Sequence, residues 1–521
     1  MSQSPQRKLS PIRVILGIIL LAAFCGSLYL GIQHWRIVTS HQHPQPWFAP
    51  YVDVTARPTY IFKQFDQTDN QNVILSFIVD SPTQPCTATW GGAYTLDQAG
   101  NQLNLDRRIA RFRQQGGHIG ISFGGLLNDE LAVTCSDQQQ LLNAYQSVID
   151  RYQINLIDLD IEGEVLKDIQ NITYRAQTIK QLQTQNPSLQ VWITLPVSPN
   201  GLTTEGITAV ETMLNNQIDL AGVNIMTMNY GRSKTDTDTL AQASKQAITN
   251  THRQLTYLYH QAGLNDSSPY IWSKIGITPM IGQTDIRTEI FTLEDAQKLN
   301  QFSYDKQISR ISIWSANRDI QCGDNYVNTS IVSDSCSGVK QTTGAFSQIF
   351  RTNFTEDLPQ TREITIQANQ TTSPKIPDNP NQSPYQIWSE TGAYLQDTKV
   401  VLHHNVYQSK WWTQGDIPDN PVLDSWQTPW QLIGPVLPGE KPIPQPTLPK
   451  GTYPEWSGSN IYNTNDRVLF NGIPYQAKWW TQGDSPAATK ANPDSSPWSP
   501  LRQTEVNALI EEIEYIKQYG N

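Results

Sequence analysis

Short apolar runs recur between residues 47 and 351, separated by longer stretches in which apolar side chains return every three or four positions. The runs are Phe48–Val54, Val73–Val79, Ile119–Phe123, Leu156–Glu162, Val191–Leu195, Val223–Met228, Ile275–Pro279 and Ile308–Trp314. Their length and their β-branched content predict strands. Helical spacing is found between most of them, at Asn104–Gln115, Asp137–Tyr152, Ala176–Gln185, Thr239–Gln261 and Leu293–Gln301. Strands alternating with helices at this rate predict an α/β domain, a (β/α)8 TIM barrel over residues 47–351. A doubly wound open sheet is the alternative, but no Gly-rich phosphate loop follows the first run.

One run departs from the apolar pattern. In Leu156-Ile157-Asp158-Leu159-Asp160-Ile161-Glu162, apolar and acidic residues alternate strictly. Period two places Asp158, Asp160 and Glu162 on one face of a strand. Residues two apart on a strand lie roughly 6–7 Å from each other, close enough for each acid to raise its neighbour's pKa. A solvated acidic face would explain the pattern on an antiparallel edge strand. In a barrel the strand is inside, and catalytic residues gather at its C-terminal end. Glu162, followed at once by Gly163, is expected to reach the open mouth, with the two aspartates below it.

Composition narrows the ligand. A net charge of −10 argues against nucleic acid as a partner, and 15 Trp and 21 Tyr suit a neutral, ring-shaped ligand. No Cys-x-x-Cys or His cluster has metal-ligand spacing, so neither a metal nor a cofactor is expected. Outside the N-terminal region, Cys86, Cys135, Cys322 and Cys336 allow three connectivities. Cys86–Cys135 with Cys322–Cys336 is favoured, because each pair would join loops at one end of the barrel. Val14 to Ile32 is uncharged throughout and follows Arg7, Lys8 and Arg13. Its length suits a transmembrane anchor with residues 1–13 cytoplasmic; a cleaved signal peptide is the rival reading. Either way the bulk of the chain is exported. It is then anchored in the inner membrane, facing the periplasm or exterior, or secreted, which suits paired cysteines.

Residues 352–384 are rich in Pro and Asn and read as a linker. Beyond it the chain repeats itself. Tyr407-Gln408-Ser409-Lys410-Trp411-Trp412-Thr413-Gln414-Gly415-Asp416 recurs 68 positions later as Tyr475-Gln476-Ala477-Lys478-Trp479-Trp480-Thr481-Gln482-Gly483-Asp484, and Trp388 matches Trp456 at the same offset. Two small all-β modules, 385–434 and 453–501, are expected around a Pro-rich linker at 435–452, with a tail at 502–521 that holds a candidate helix, Glu505–Tyr519. Adjacent tryptophans on a strand point to opposite sides. One ring of Trp411 and Trp412, and one of Trp479 and Trp480, is therefore expected to be exposed and the other to fill the core.

The acidic strand resembles the Asp-x-x-Asp-x-Asp-x-Glu signature of glycoside hydrolase family 18 chitinases. Ser122-Phe123-Gly124-Gly125, Met226-Thr227-Met228-Asn229-Tyr230-Gly231, Trp314 and the opening Phe48-Ala49-Pro50-Tyr51-Val52-Asp53 resemble further motifs of a bacterial subgroup of that family. The two repeats resemble chitin-binding modules of carbohydrate-binding families 5 and 12, with Trp388, Tyr407, Trp411, Trp412, Trp456, Tyr475, Trp479 and Trp480 as candidate contact residues. The resemblance implies retaining, substrate-assisted hydrolysis of β-1,4 N-acetylglucosamine linkages, of endo type, by a monomer. It makes Glu162 the general acid/base and Asp160 the partner of the acetamido N–H. Asp158 would share a proton with Asp160, Tyr230 would hold the acetamido carbonyl, Met228 and Asn229 would line the subsite, and Trp314 would floor it.

Three positions depart from the pattern: Asn155 stands at the first acid of the signature, Leu156 at the glycine that usually follows it, and Asn229 at an acid near the reaction centre. Asn155 and Asn229 support an alternative, a surface chitin-binding adhesin with little turnover. A third reading is an endo-N-acetylglucosaminidase acting on peptidoglycan or glycans.

Overall fold

The computed structural model describes residues 46–62, 71–326, 328–358, 377–420, 422, 425–444, 446–490, 496–501 and 503–519. The expected anchor at 14–32 and much of the 352–384 linker lie outside them. Among the described residues, no helix is long and apolar enough to cross a membrane. The chain divides into two compact units, residues up to 96 together with 117–363, and residues 97–116 together with 364–521.

The first unit is a closed parallel barrel. Its strands are β1 (in two pieces, Trp47–Phe48 and Tyr51–Asp53), β2 (Gln71–Asp80), β3 (Gly117–Gly124), β4 (Leu156–Asp160), β5 (Gln190–Ser198), β6 (Leu220–Met226), β7 (Ile275–Thr278) and β8 (Arg310–Ile311). Each pairs with its sequence neighbour, and the two pieces of β1 close the ring, Trp47 beside Arg310 and Tyr51 beside Ile74. Each of the eight predicted runs overlaps a barrel strand. The acidic run is trimmed: β4 ends at Asp160, and Glu162 stands just beyond it, preceding a short 3-10 turn, Gly163–Lys167.

Helices follow the strands where the spacing predicts them, with ends set by capping side chains. Asp137 accepts from the Gln140 amide at the start of Gln138–Tyr152, and Thr239 and Gln242 form a reciprocal cap on Leu240–Gln261. Asp168 caps a helix, Ile169–Gln185, that begins earlier than its apolar pattern suggests. A helix not anticipated, Thr204–Asn215, buries Ala209, Val210, Met213 and Leu214.

The barrel also extends past its expected end at 351. Phe354 and Leu358 are buried, and Leu358 packs with Trp47, Ala49, Tyr51, Ile74, Leu156 and Trp192. The backbone amide of Leu358 donates to Asn72 Oδ1 at 2.9 Å, at the N-terminal end of β2. This segment covers the barrel floor and is not linker. The disulfides are Cys86–Cys135 and Cys322–Cys336, the favoured connectivity.

The second unit contains two small β-folds built alike. One has a three-stranded sheet of Lys399–Leu402, Asn405–Ser409 and Trp430–Pro435, and the other has Arg467–Phe470, Ile473–Ala477 and Trp498–Pro500. Their cores correspond: Tyr394, Val400, Tyr407 and Trp430 in the first, Tyr462, Val468, Tyr475 and Trp498 in the second. Repeated hydrogen bonds explain the shared Thr-Gln-Gly-Asp. Trp430 Nε1 donates to the Asp416 carbonyl at 2.9 Å and Trp498 Nε1 to the Asp484 carbonyl at 2.8 Å. The C-terminal helix, Gln503–Tyr519, lays Val506 against Leu448, Leu469 and Leu501 of the second fold.

The tryptophan pairs correct the expectation of one ring in and one ring out. Trp411 and Trp412 are 45% and 57% exposed, and Trp479 and Trp480 are 45% and 58% exposed. Both pairs fall in a bend between strands, so strand alternation does not govern them. Tyr407 and Tyr475 are core residues, and Trp388 and Trp456 are half-buried against the same cores.

Candidate active site

The three acids of the signature occupy three different environments. Asp158 is fully buried, Asp160 is 6% exposed and Glu162 is half-buried at the mouth. The Gly124-Gly125 pair at the end of β3 makes room for this strand. Gly124 has φ 101°, and a Cβ there would lie 2.2 Å from the Asp160 carbonyl oxygen. Gly125 donates its amide to that same oxygen at 3.0 Å. A side chain at position 124 would push the acidic strand out of register.

Asp158 sits in a complete set of donors. Its Oδ2 accepts from the Tyr51 hydroxyl and from Ser122 Oγ, each at 2.7 Å. Its Oδ1 accepts from Thr194 Oγ1 and from Arg310 Nη1, also at 2.7 Å. Asn224 ties the group together, donating to Thr194 Oγ1 at 2.9 Å and to Thr278 Oγ1 at 2.8 Å. A carboxylate has about four acceptor sites, and here all are taken. The expected proton sharing between Asp158 and Asp160 is therefore not the arrangement found.

Asp160 is left with a buried Oδ1 that has no hydrogen-bond partner. Burial, then Glu162, Asp158 and Glu130, push its carboxyl well above the usual range, with Arg310 acting in the opposite sense. Glu130, itself buried and ion-paired to Arg175, stands behind it. Glu162 is pushed up to about 7, first by burial and then by the charge of Asp285. Asp285 is an exposed residue of the loop after β7, and its Oδ2 accepts from Asn229 Nδ2 at 2.7 Å.

Of the residues after β6, Met228 is half-buried and Asn229 is exposed, with φ 54°. Tyr230 is turned away. It is 4% exposed, and its hydroxyl lies 3.1 Å from Ser244 Oγ on the helix Leu240–Gln261. The cause is backbone anchoring: Glu289 accepts from the amides of Tyr230 and Gly231 at 3.1 and 2.6 Å. With its hydroxyl proton donated to Ser244, Tyr230 does not present it to the acetamido carbonyl that the resemblance assigns to it. Trp314 is half-buried and stacks on Phe77, with centroids 5.4 Å apart and planes 23° apart, above Tyr51. It forms a partly open floor. Asn155 stands before β4, half-buried, and accepts from Ser188 Oγ at 3.4 Å.

Tyr51, Thr194, Arg310 and Asp285 were not singled out from the sequence. A signal for Arg310 was present, since it is a lone cation in the otherwise uncharged run Ile308–Trp314. A buried arginine on a barrel strand requires a buried anion.

Fold and site together define a (β/α)8 barrel with a graded carboxylate cluster at its C-terminal mouth. Known proteins place that class more closely. Over 293 residues the chain is 31% identical to a probable bifunctional chitinase/lysozyme of Escherichia coli (strain K12), covering 54% of this chain and 32% of that protein. It is 30% identical over 288 residues to endochitinase 11 of Metarhizium anisopliae, covering 53% of each. The chain thus spans about a third and about half of the length of these curated relatives. The crystal structure of the catalytic domain of a hyperthermophilic chitinase from Pyrococcus furiosus is similar, with TM-score 0.51 and 29% identity over 60% of this chain and 95% of that one. Residues 455–499, within the second of the two repeats expected to be such modules, match the model of carbohydrate-binding module family 5/12.

Proposed function

We propose that this chain is an exported chitinase of glycoside hydrolase family 18, of endo type, that carries two chitin-binding modules. The observation that carries the reading is the gradient along β4: an anchored Asp158, a buried Asp160 with one open acceptor, and a Glu162 with its carboxyl raised to about 7 at the mouth. A carboxyl tuned to that range both gives and takes a proton near neutral pH. In the proposed reaction Glu162 protonates the glycosidic oxygen as the bond to C1 breaks. The substrate's own acetamido oxygen attacks C1, and Asp160 accepts a hydrogen bond from the acetamido N–H of the oxazolinium that forms. Glu162 then takes a proton from the water that attacks C1, and configuration is retained. The two disulfides support an oxidising compartment outside the cytoplasm.

Proton NMR of the first product released from chito-oligosaccharides tests the reading. The β-anomer should appear first. An α-anomer appearing first would rule out the substrate-assisted route, and no product with intact chitin binding would leave an adhesin.

A second reading keeps the chemistry and changes the polymer to peptidoglycan, favoured by the description of the E. coli relative as a chitinase/lysozyme. Parallel digestion of chitin and peptidoglycan by one preparation separates the two.

The raised pKa of Glu162 also has a sign. Asp285→Asn removes a negative charge that favours the protonated form, so the alkaline limb of kcat/KM should move to lower pH. Burial is the larger cause, so the limb should stay above that of an isolated glutamate. Asp285 is exposed, so thermal stability should change little. An unmoved limb would show that Asp285 does not act on the acid.

A further inference from the structure

The barrel interior holds a cation that the proposed reaction does not use. Arg310 on β8 and Asp158 on β4 are both fully buried, and their side chains meet at 2.7 Å. The guanidinium is held on every side. Nη2 donates to the Tyr51 hydroxyl at 2.9 Å and Nε to Ser312 Oγ at 3.0 Å. Its central carbon lies 5.1 Å from the Trp192 ring, 5.4 Å from the Trp47 ring and 5.6 Å from the Tyr51 ring. β7 leaves space for it, because a Cβ on Gly276 would lie 3.1 Å from Arg310 Cδ.

We infer that Arg310 is a positioning residue that fixes Asp158 as its permanent counter-ion, and so confines the mobile proton of the cluster to Asp160 and Glu162. This deepens the chitinase reading and, for its kinetic part, rests on it. A proton on Asp158 would have to displace a donor. Tyr51 from β1, Ser122 from β3, Thr194 from β5 and Arg310 from β8 already fill both oxygens. Asp160 is the remaining ionisable neighbour on the strand itself. A buried carboxylate is tolerated only with its charge matched and its acceptors satisfied, and Arg310 supplies the match. Asp158 then acts on Asp160 as a fixed negative charge. Its upward push on Asp160 outweighs the opposing pull of Arg310. The buried Oδ1 of Asp160 is left with no hydrogen-bond partner.

Infrared difference spectroscopy on the full chain from about pH 4 to pH 9 tests this without turnover. No carboxylic-acid C=O band that survives in Asp160→Asn and in Glu162→Gln should vanish in Asp158→Asn. A wild-type band that is missing in Asp158→Asn and kept in those two variants would belong to Asp158 and overturn the inference, whether or not the protein cleaves chitin. In Arg310→Met, Asp158 faces only hydroxyls, and a carboxylic-acid band is expected to appear; Arg310→Lys restores the cation and should remove it. If Arg310→Met does not fold, the wild-type comparison still decides. On chitotrioside, the acid limb of kcat/KM, set by ionisation of Asp160, should move to lower pH in Arg310→Met, because the fixed negative charge acting on Asp160 is lost, and return toward the wild type in Arg310→Lys. A limb that stays in place while the new band appears would sever Asp158 from the reaction and overturn the kinetic half.

Discussion

Replacing Glu162 with Gln is expected to lower kcat on a fluorogenic chitotrioside by roughly 10²- to 10⁴-fold, the usual contribution of a positioned general acid. Gln is nearly isosteric but cannot deliver a proton to the leaving oxygen, so KM should change far less than kcat. The environment makes the prediction specific. Glu162 is raised to about 7 by burial and by Asp285, so near neutral pH a substantial share of molecules carries the proton that the reaction needs. The same variant should lose the alkaline limb of the pH profile, since the titrating group has gone. Wild-type turnover in Glu162→Gln would move the acid elsewhere, and the nearest carboxyls are Asp160 and Asp285.

The second large effect is expected on insoluble substrate. Trp411, Trp412, Trp479 and Trp480 are each between 45% and 58% exposed, and such flat apolar rings stack on pyranose faces. By analogy with aromatic contacts in general, each ring contributes ~1 kcal/mol, about fivefold in Kd. Replacing one pair by Ala should weaken chitin binding by roughly 25-fold. Replacing both should weaken it further, because the second module no longer rebinds on the same fibre. Depletion of the protein from solution by chitin beads measures both. Undiminished binding in the fourfold variant would move the binding face to other residues, and Trp426, 70% exposed in the first module, would be the next to replace.

Much of the barrel was legible because parallel strands are buried on both faces and read as short apolar runs. The acidic strand stood out for the opposite reason, since nothing in a buried strand excuses three carboxylates. What stayed hidden depends on partners distant in the chain. Arg310 meets Asp158 across 152 positions, and Glu289 turns Tyr230 away by binding amides 59 and 58 positions before it. Local periodicity carries no information about such pairs. Asp285 was hidden because a loop acid in sequence looks like any other solvated charge. The tryptophan pairs failed differently: strand alternation was applied to a bend, where side-chain direction is set by the turn and not by the pleat.

The exposure of those indoles has a practical consequence. Trp47, Trp90 and Trp192 of the barrel are at most 3% exposed, and Trp430 and Trp498 are closed inside the module cores. Among the described residues, the solvent-facing share of the protein's fluorescence therefore comes largely from the two bends that are expected to meet the polysaccharide, together with Trp426. Their emission should lie to the red of the buried set and be quenched selectively by iodide or acrylamide. Docking on a sugar chain should shift it to the blue. The chain thus carries its own optical probe of occupancy, which can be followed in real time without labelling either protein or polymer.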